Sequence, residues 1–188
     1  MPSKNIRMTS LRLKHLLAGL LLGLAACRQP VARKAINASE NVFLKQSALR
    51  NKDRFAEEHK ALKEAAENDG THLYQQGSKG YYFAISSGKA QRTSPPEKGD
   101  WVEVDYQIEN LDGTLIYAME EIASEDFLVD QEDVLPALRV GVKHLRKGEV
   151  GVFLFPSYLC YGYQGDGDKI GVSQPLKMYI HLLDHQNK

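Results

Sequence analysis

The chain has 188 residues, of which 43% are hydrophobic, and its 24 basic and 24 acidic side chains cancel at neutral pH. This length allows one globular domain with appendages, but hardly two full domains. We therefore expect a single hydrophobic core and additional segments that lie outside it.

The first 26 residues have the organisation of an export signal. Four basic residues without a single acid precede the apolar run LLAGLLLGLAA, and Cys27 follows directly. A run of about 11 apolar residues is too short to cross the ~30 Å hydrocarbon core of a membrane as a helix. The pattern therefore predicts a signal peptide over 1–26 rather than a permanent transmembrane anchor.

The residues Leu24-Ala25-Ala26-Cys27 resemble the bacterial lipobox, in which the cysteine thiol receives a diacylglycerol. The alternative is a cysteine that lies by chance near an ordinary cleavage site. Two or three acyl chains hold a protein on a membrane stably, where one chain does not. We expect a mature chain that begins at Cys27 and is lipid-anchored in the cell envelope, on a bacterial membrane and facing the periplasm.

Removal of residues 1–26 leaves 20 basic and 24 acidic side chains. A mildly acidic chain has no electrostatic attraction to nucleic acid, so nucleic-acid partners are excluded. With Cys27 acylated, Cys160 has no partner within the chain, and we expect it to be a small buried hydrophobic residue.

Residues 27–38 are polar and patternless, which indicates a flexible tether. Over 39–70 the apolar residues recur at helical spacing among many charges, which predicts an amphipathic helix: Leu44, Ala48, Phe55, Leu62 and Ala66. The stripe is narrow and rich in alanine. It leaves two interpretations open, a solvated spacer helix or an arm for homodimerisation or client binding.

The remaining chain, 77–188, is predicted to be one α+β domain. Strict alternation over WVEVDYQIE predicts a half-buried strand, and Asp112-Gly113 then turns a hairpin. Further strands are expected over 81–86, 150–155 and 176–183, with a brief helix over 134–145. One short helix against antiparallel strands is an α+β arrangement with the helix on one face.

The order of these motifs resembles the FKBP-type peptidyl-prolyl cis-trans isomerases over roughly residues 80–185. The counterparts of the family pattern read VEVDY, LDG, Phe127, Val134-Leu135, KGE, VGVFLFPSYLCYG and IGVSQPLKMYIHLL. The resemblance implies an antiparallel sheet wrapped on one short helix and isomerisation of proline-containing exported polypeptides. With the lipobox and the charged helix, the whole chain is similar to lipid-anchored FKBP-type proteins associated with gliding motility.

The resemblance also implies the site residues. Tyr161 takes the place of the tyrosine that donates a hydrogen bond to the substrate carbonyl. The substrate-binding residues that follow from the same alignment are Tyr106, Ile116, Tyr117, Phe127, Val134, Leu135, Leu138, Ile170 and Met178. No cofactor or metal is implied, and the Gly165–Asp168 stretch lacks the glutamate that ends a calcium-binding loop.

Several positions depart from the family pattern. Ile116-Tyr117 replaces a Phe-Asp pair, Leu138 replaces a tryptophan, Glu125 replaces an aromatic and Met178 replaces a phenylalanine. These changes leave two hypotheses. The first is a prolyl isomerase, and the second is a catalytically weak FKBP-like chaperone or binding module in an envelope complex.

Overall fold

The computed structural model describes residues 38–88 and 94–188, with side chains from residue 42 onward. The chain divides into two compact units, Met1–Leu44 and Lys45–Lys188, and the fold below is that of the second unit. The predicted signal peptide, the predicted acylation site at Cys27 and nearly all of the predicted tether lie outside the described residues. In the described ranges, no helix combines the length and apolar character needed to cross a membrane.

The first element is a long helix, α1, which spans Ala38–Asn68, where the sequence predicts a helix over 39–70. Its apolar stripe is buried unevenly. Leu62 has no exposed surface, whereas Leu44 is 58% exposed and Leu49 is 60% exposed. The C-terminal half of α1 therefore packs on the domain, while the apolar residues of its N-terminal half face solvent.

Seven strands follow, and every pairing between them is antiparallel. They are β1 (Gln75–Gln76), β2 (Tyr82–Gly88), β3 (Trp101–Glu109), β4 (Leu115–Tyr117), β5 (Glu125–Leu128), β6 (Glu149–Phe155) and β7 (Leu176–Gln186). The sheet order is β1-β2-β6-β7-β3-β4, and β5 pairs with the other end of β3. Strands β4 and β5 thus share one edge of β3.

The short helix α2 spans Pro136–Gly141 and continues as a 3₁₀ turn over Val142–His144. Proline is favoured in the first turn of a helix because backbone N–H groups have no intrahelical acceptor there, so the lack of an N–H costs no hydrogen bond. Gly141 allows a close approach to the sheet, since a Cβ at this position would lie 2.6 Å from the Ile180 side chain. The packing of α2 on one face of the sheet, after the longer α1, confirms the α+β prediction.

The main core lies between α2 and the sheet. On β3 and β7 the buried residues alternate with partly exposed residues, because successive side chains of a strand point to opposite faces of the sheet. On β6 both faces are buried: Phe153 and Phe155 join the main core, while Val152 and Leu154 lie on the opposite face. Leu154 lines a cavity there together with Ala65 of α1.

Candidate functional site

All ten residues predicted for the site belong to one hydrophobic cluster. Five of them are buried members of the cluster: Tyr106, Phe127, Leu138, Ile170 and Met178. The other five are partly buried and pack against it: Ile116, Tyr117, Val134, Leu135 and Tyr161. The fold therefore brings into one cluster residues that are spread over 73 positions of sequence, from 106 to 178.

The sheet and α2 supply the apolar wall of this cluster. Strand register places Phe127 of β5 beside Val102 of β3, and Met178 of β7 beside Ile108 of β3. Phe127, Leu138 and Met178 have essentially no exposed surface. Because each is enclosed by secondary structure, this wall is fixed by burial.

The start of α2 supplies a backbone donor. Leu135 precedes Pro136 with an extended backbone, φ −49° and ψ 123°, and its carbonyl accepts the N–H groups of Leu138 and Arg139. The first N–H groups of a helix have no intrahelical acceptor. Within residues 38–88 and 94–188, nothing accepts the N–H of Leu135. This N–H is thus available to a ligand of the cluster.

The opposite side of the site is a long connection between β6 and β7, residues 157–175, which we call the flap. It begins with a 3₁₀ turn over Ser157–Leu159 and passes through Gly162 at φ +60°, a backbone conformation that favours glycine. Tyr161 lies between this turn and Gly162, and Cys160 beside it is buried. Local backbone geometry, rather than a strand, therefore presents Tyr161 to the cluster.

The Tyr161 hydroxyl makes no hydrogen bond to any described residue, so it can donate to a ligand. Burial raises the pKa of Tyr161, and the nearby Cys160, Asp166 and Glu125 raise it further. The phenol therefore keeps its proton at neutral pH. Burial, and to a lesser degree Glu58, also raises the pKa of the Cys160 thiol, which makes Cys160 a poor nucleophile.

Asp166 organises the middle of the flap. One of its carboxylate oxygens accepts the backbone N–H groups of Asp168 and Ile170 at 2.9 and 2.8 Å, and the other accepts the Tyr117 hydroxyl at 2.6 Å. Although burial opposes the effect, the bonds from Tyr117 and from the backbone lower the pKa of Asp166. The same bond to Asp166 raises the pKa of Tyr117 to about 12. The Gly165–Asp168 stretch is therefore a compact, hydrogen-bonded turn.

A second carboxylate approaches the cluster from β5. The Tyr106 hydroxyl donates to Glu125 at 2.9 Å, and burial followed by the Glu125 charge raises the pKa of Tyr106. This contact follows from the pairing of Val104 with Glu125 across β3 and β5. Because β5 was not predicted from the sequence, this contact was not expected, and Glu125 was recognised only as the replacement of an aromatic residue of the family pattern.

The domain that carries this site is similar to known proteins. A sequence profile of the FKBP-type peptidyl-prolyl cis-trans isomerases matches residues 92–183. A probable FKBP-type peptidyl-prolyl cis-trans isomerase, FkpA of Neisseria meningitidis serogroup B, is 31% identical over 122 residues, which cover 65% of this chain and 43% of that protein. Residues 92–183 form an FKBP-type domain. The match spans less than half the length of the Neisseria relative.

Solved structures agree with the FKBP assignment at the level of the fold. The crystal structure of FkpA from Escherichia coli gives a TM-score of 0.55 at 22% identity and covers 92% of this chain and 81% of that one. A peptidyl-prolyl cis-trans isomerase from Pseudomonas syringae pv. tomato gives a TM-score of 0.50 at 21% identity, covering 68% and 94% of the two chains.

Two departures of this FKBP domain from the family pattern, at Tyr117 and Glu125, each form a hydrogen bond in the described structure. At the position of the absent aspartate, Tyr117 reaches across to Asp166 and connects β4 to the flap. Lys169 lies over the Tyr117 ring, with its Nζ atom 4.4 Å from the ring centre. Carboxylates are thus present around the site, but they come from Glu125 and Asp166 rather than from position 117.

Proposed function

We propose that the protein is a lipid-anchored, extracytoplasmic peptidyl-prolyl cis-trans isomerase that assists the folding of exported proteins. One observation carries the proposal. The buried residues Phe127, Leu138 and Met178 share one hydrophobic cluster with Leu135 and Tyr161, and the Leu135 N–H and the Tyr161 hydroxyl have no acceptor among the described residues. A proline ring with its preceding amide has this combination of apolar surface and acceptor.

Such a site lowers the barrier to rotation without a nucleophile. Resonance gives a peptide C–N bond partial double-bond character, with a barrier of ~18–20 kcal/mol. The planar ground state is strongly polar, and the twisted transition state is less so. Transfer of the amide from water to an apolar site therefore destabilises the ground state more, and each ~1.36 kcal/mol of this difference accelerates rotation tenfold.

The polar groups have a positioning role in this mechanism. The pKa of Tyr161 is raised, so its hydroxyl stays protonated and donates a hydrogen bond to the substrate carbonyl. The Leu135 N–H is a second donor. The proline ring and its flanking residue also contact four further residues of the cluster: Ile116, Tyr117, Val134 and Ile170. No group needs to accept or release a proton during the reaction.

Exchange spectroscopy tests the proposed activity. The full-length protein in detergent is added to an Xaa-Pro peptide, and the cis–trans exchange rate is measured by NMR. Uncatalysed exchange takes ~10–100 s at 25 °C, so any turnover on the NMR exchange timescale is clearly visible. A peptide with Ala in place of Pro is the control for nonspecific broadening, and no acceleration at stoichiometric protein would refute the isomerase.

The N-terminal half of α1 supports a second candidate function, a chaperone or binding module with little turnover. Phe43 is 62% exposed, and Val42, Leu44 and Leu49 on the same helix are exposed as well. Exposed apolar residues of this kind suit an unfolded client or a second copy of the chain. Leu49→Glu should abolish suppression of client aggregation, or dissociate a homodimer in light scattering, without changing prolyl isomerisation.

The location and the clients are part of the same proposal. The lipobox at Leu24–Cys27 supports anchoring by lipid, and Cys27→Ser should move the protein from the membrane fraction to the soluble fraction. Retention of the Cys27→Ser variant on membranes would contradict lipidation. The similarity to gliding-motility lipoproteins supports surface motility proteins as clients. Their protease sensitivity should rise in cells that carry only an inactive variant.

A further inference from the structure

A buried acid lies on the face of α1 that meets the domain. Only 6% of Glu58 is exposed, although its neighbour Glu57 on the same helix faces solvent. A buried carboxylate is costly unless hydrogen bonds satisfy its oxygens. Both oxygens of Glu58 accept from one residue of the flap: the Ser157 N–H at 2.9 Å and the Ser157 hydroxyl at 2.8 Å.

Ser157 in turn holds both sequence neighbours of Tyr161. Its carbonyl oxygen accepts the N–H of Cys160 at 2.9 Å and the N–H of Gly162 at 2.8 Å. The N–H, the hydroxyl and the carbonyl of Ser157 are therefore all engaged, the first two by α1 and the third by the backbone around Tyr161. A displacement of Ser157 must move the backbone that carries the Tyr161 side chain.

Two further contacts extend the interface between α1 and the flap. Phe55 packs edge-on against Tyr158, with ring centres 5.6 Å apart. Arg54 donates to the Ser173 hydroxyl at 3.1 Å, and the Ser173 N–H bonds to the Gly162 carbonyl at 2.8 Å. Helix α1 thus contacts the flap on both sides of Tyr161 along the sequence.

We propose that Glu58 is a positioning residue of the isomerase site, and that α1 sets the place of the Tyr161 hydroxyl through Ser157. Glu58 lies outside residues 92–183, the part of the chain that the FKBP profile matches. The expected effect of Glu58 on kinetics rests on the proposed isomerase function. The expected effect on structure, an ordered Tyr161, does not rest on that function.

The test compares Glu58→Ala and Glu58→Gln with the matched control Glu57→Ala in the full-length protein in detergent. We expect Glu58→Ala to lower kcat/KM for an Xaa-Pro peptide by roughly twofold to fivefold, mainly through kcat, because the loss is limited to the one hydrogen bond that the Tyr161 hydroxyl makes to the substrate. Glu58→Gln retains one carbonyl acceptor and the side-chain volume, so it should lose less. Glu57→Ala should match the wild type.

Two measurements separate positioning from stability. The thermal midpoint of each variant is measured, and kinetics are recorded well below it, where a loss of stability alone leaves kcat unchanged. The ring signals of ¹³C-labelled Tyr161 and the amide exchange of residues 157–163 report the flap directly. In Glu58→Ala both should shift toward a mobile flap, and Ser157→Ala in that background should add little, because the two residues act as a pair.

Two outcomes decide against the proposal. An unchanged kcat together with unchanged Tyr161 signals in Glu58→Ala overturns it, as does an equal loss in Glu57→Ala. If Glu58→Ala does not fold, Glu58→Gln carries the same comparison. If the wild type shows no turnover, the proposed function fails. The Tyr161 signals and the amide exchange still support or overturn the role of Glu58.

Discussion

The two sides of the site are built by different interactions. On the side of the sheet and α2, Phe127, Leu138 and Met178 are held by the burial of large apolar surfaces. On the side of the flap, Tyr161 and Ile170 are held by a few hydrogen bonds centred on Glu58, Ser157 and Asp166. Burial is non-directional and spread over many contacts, whereas each flap bond depends on one group.

This difference indicates a division of labour. The wall is expected to tolerate substitutions that conserve volume, because its proposed contribution to catalysis is desolvation. The flap is expected to be sensitive to the loss of single polar atoms, because its proposed contribution is the direction of a donor. Substitutions on the two sides should therefore have distinct signatures in stability and in turnover.

The largest effect is expected from Phe127→Ala. Truncation of a fully buried phenylalanine removes apolar contacts and leaves a cavity, which costs about 3–5 kcal/mol of unfolding free energy. Urea denaturation measures this loss. Leu115→Ala, at a residue of β4 that is 53% exposed, is the control and should change the free energy by less than about 0.5 kcal/mol. A loss below about 1 kcal/mol for Phe127→Ala would contradict a wall held by burial.

A smaller effect, dependent on pH, is expected from Asp166→Asn. The folded pKa of Asp166 lies below its ordinary value of 3.8, so the ionised carboxylate stabilises the fold above that pH. The contribution is lost as pH falls through the folded pKa. Since Asp166 is partly exposed, we expect the variant to lose about 1–2 kcal/mol at pH 7.

Urea midpoints at pH 7 and at acid pH measure this dependence for wild type and variant. The difference between the two proteins should narrow in acid, where the wild-type carboxylate is protonated. The exposed Asp133→Asn serves as the control. A difference that stays constant with pH would show that Asp166 does not stabilise the flap through its charge.

An effect of about 1 kcal/mol is expected from Tyr106→Phe, which removes the hydroxyl that Glu125 accepts. Glu125→Gln in the Tyr106→Phe background should cost less than it does in the wild type, because its partner is already gone. Chemical denaturation of the four proteins completes this cycle, with the exposed Tyr163→Phe as the control. Strict additivity would show that the two side chains do not stabilise each other.

The smallest effect on free energy is expected from Tyr161→Phe, and it should appear in turnover alone. Loss of one hydrogen bond to the substrate, about 0.5–1 kcal/mol, lowers kcat/KM roughly twofold to fivefold. The unfolding free energy should stay within about 0.5 kcal/mol of the wild type, since the hydroxyl has no acceptor among the described residues. A variant that loses stability but not turnover would reverse the roles that we assign to flap and wall.

Two of the three elements that carry the wall, α2 and β7, follow from local patterns in the sequence, whereas the contacts of the flap do not. The alternation in β3 correctly places Val102, Val104, Tyr106 and Ile108 on the buried face. The predicted helix over 134–145 is real, but the structure divides it into α2 and a 3₁₀ turn. Strands β1 and β5 were not predicted, because two and four residues carry too little periodicity.

The polar contacts of the flap join residues that are distant in sequence. Glu58 meets Ser157 across 99 positions, and Asp166 meets Tyr117 across 49. In the sequence Glu58 is one of many charged residues on a charged helix, and no local pattern distinguishes it from Glu57. Only the docking of α1, which the narrow apolar stripe left open, places Glu58 under the domain.

The buried thiol of Cys160 gives the flap a built-in kinetic reporter. The chain has two cysteines, so Cys27→Ser leaves Cys160 as the single site for a thiol-specific reagent. Since Cys160 is buried beside Tyr161, the reagent reacts only in molecules whose flap has opened. The rate of alkylation therefore reports how often the flap opens beside Tyr161, the residue proposed to bind the substrate, without a probe being introduced into the site.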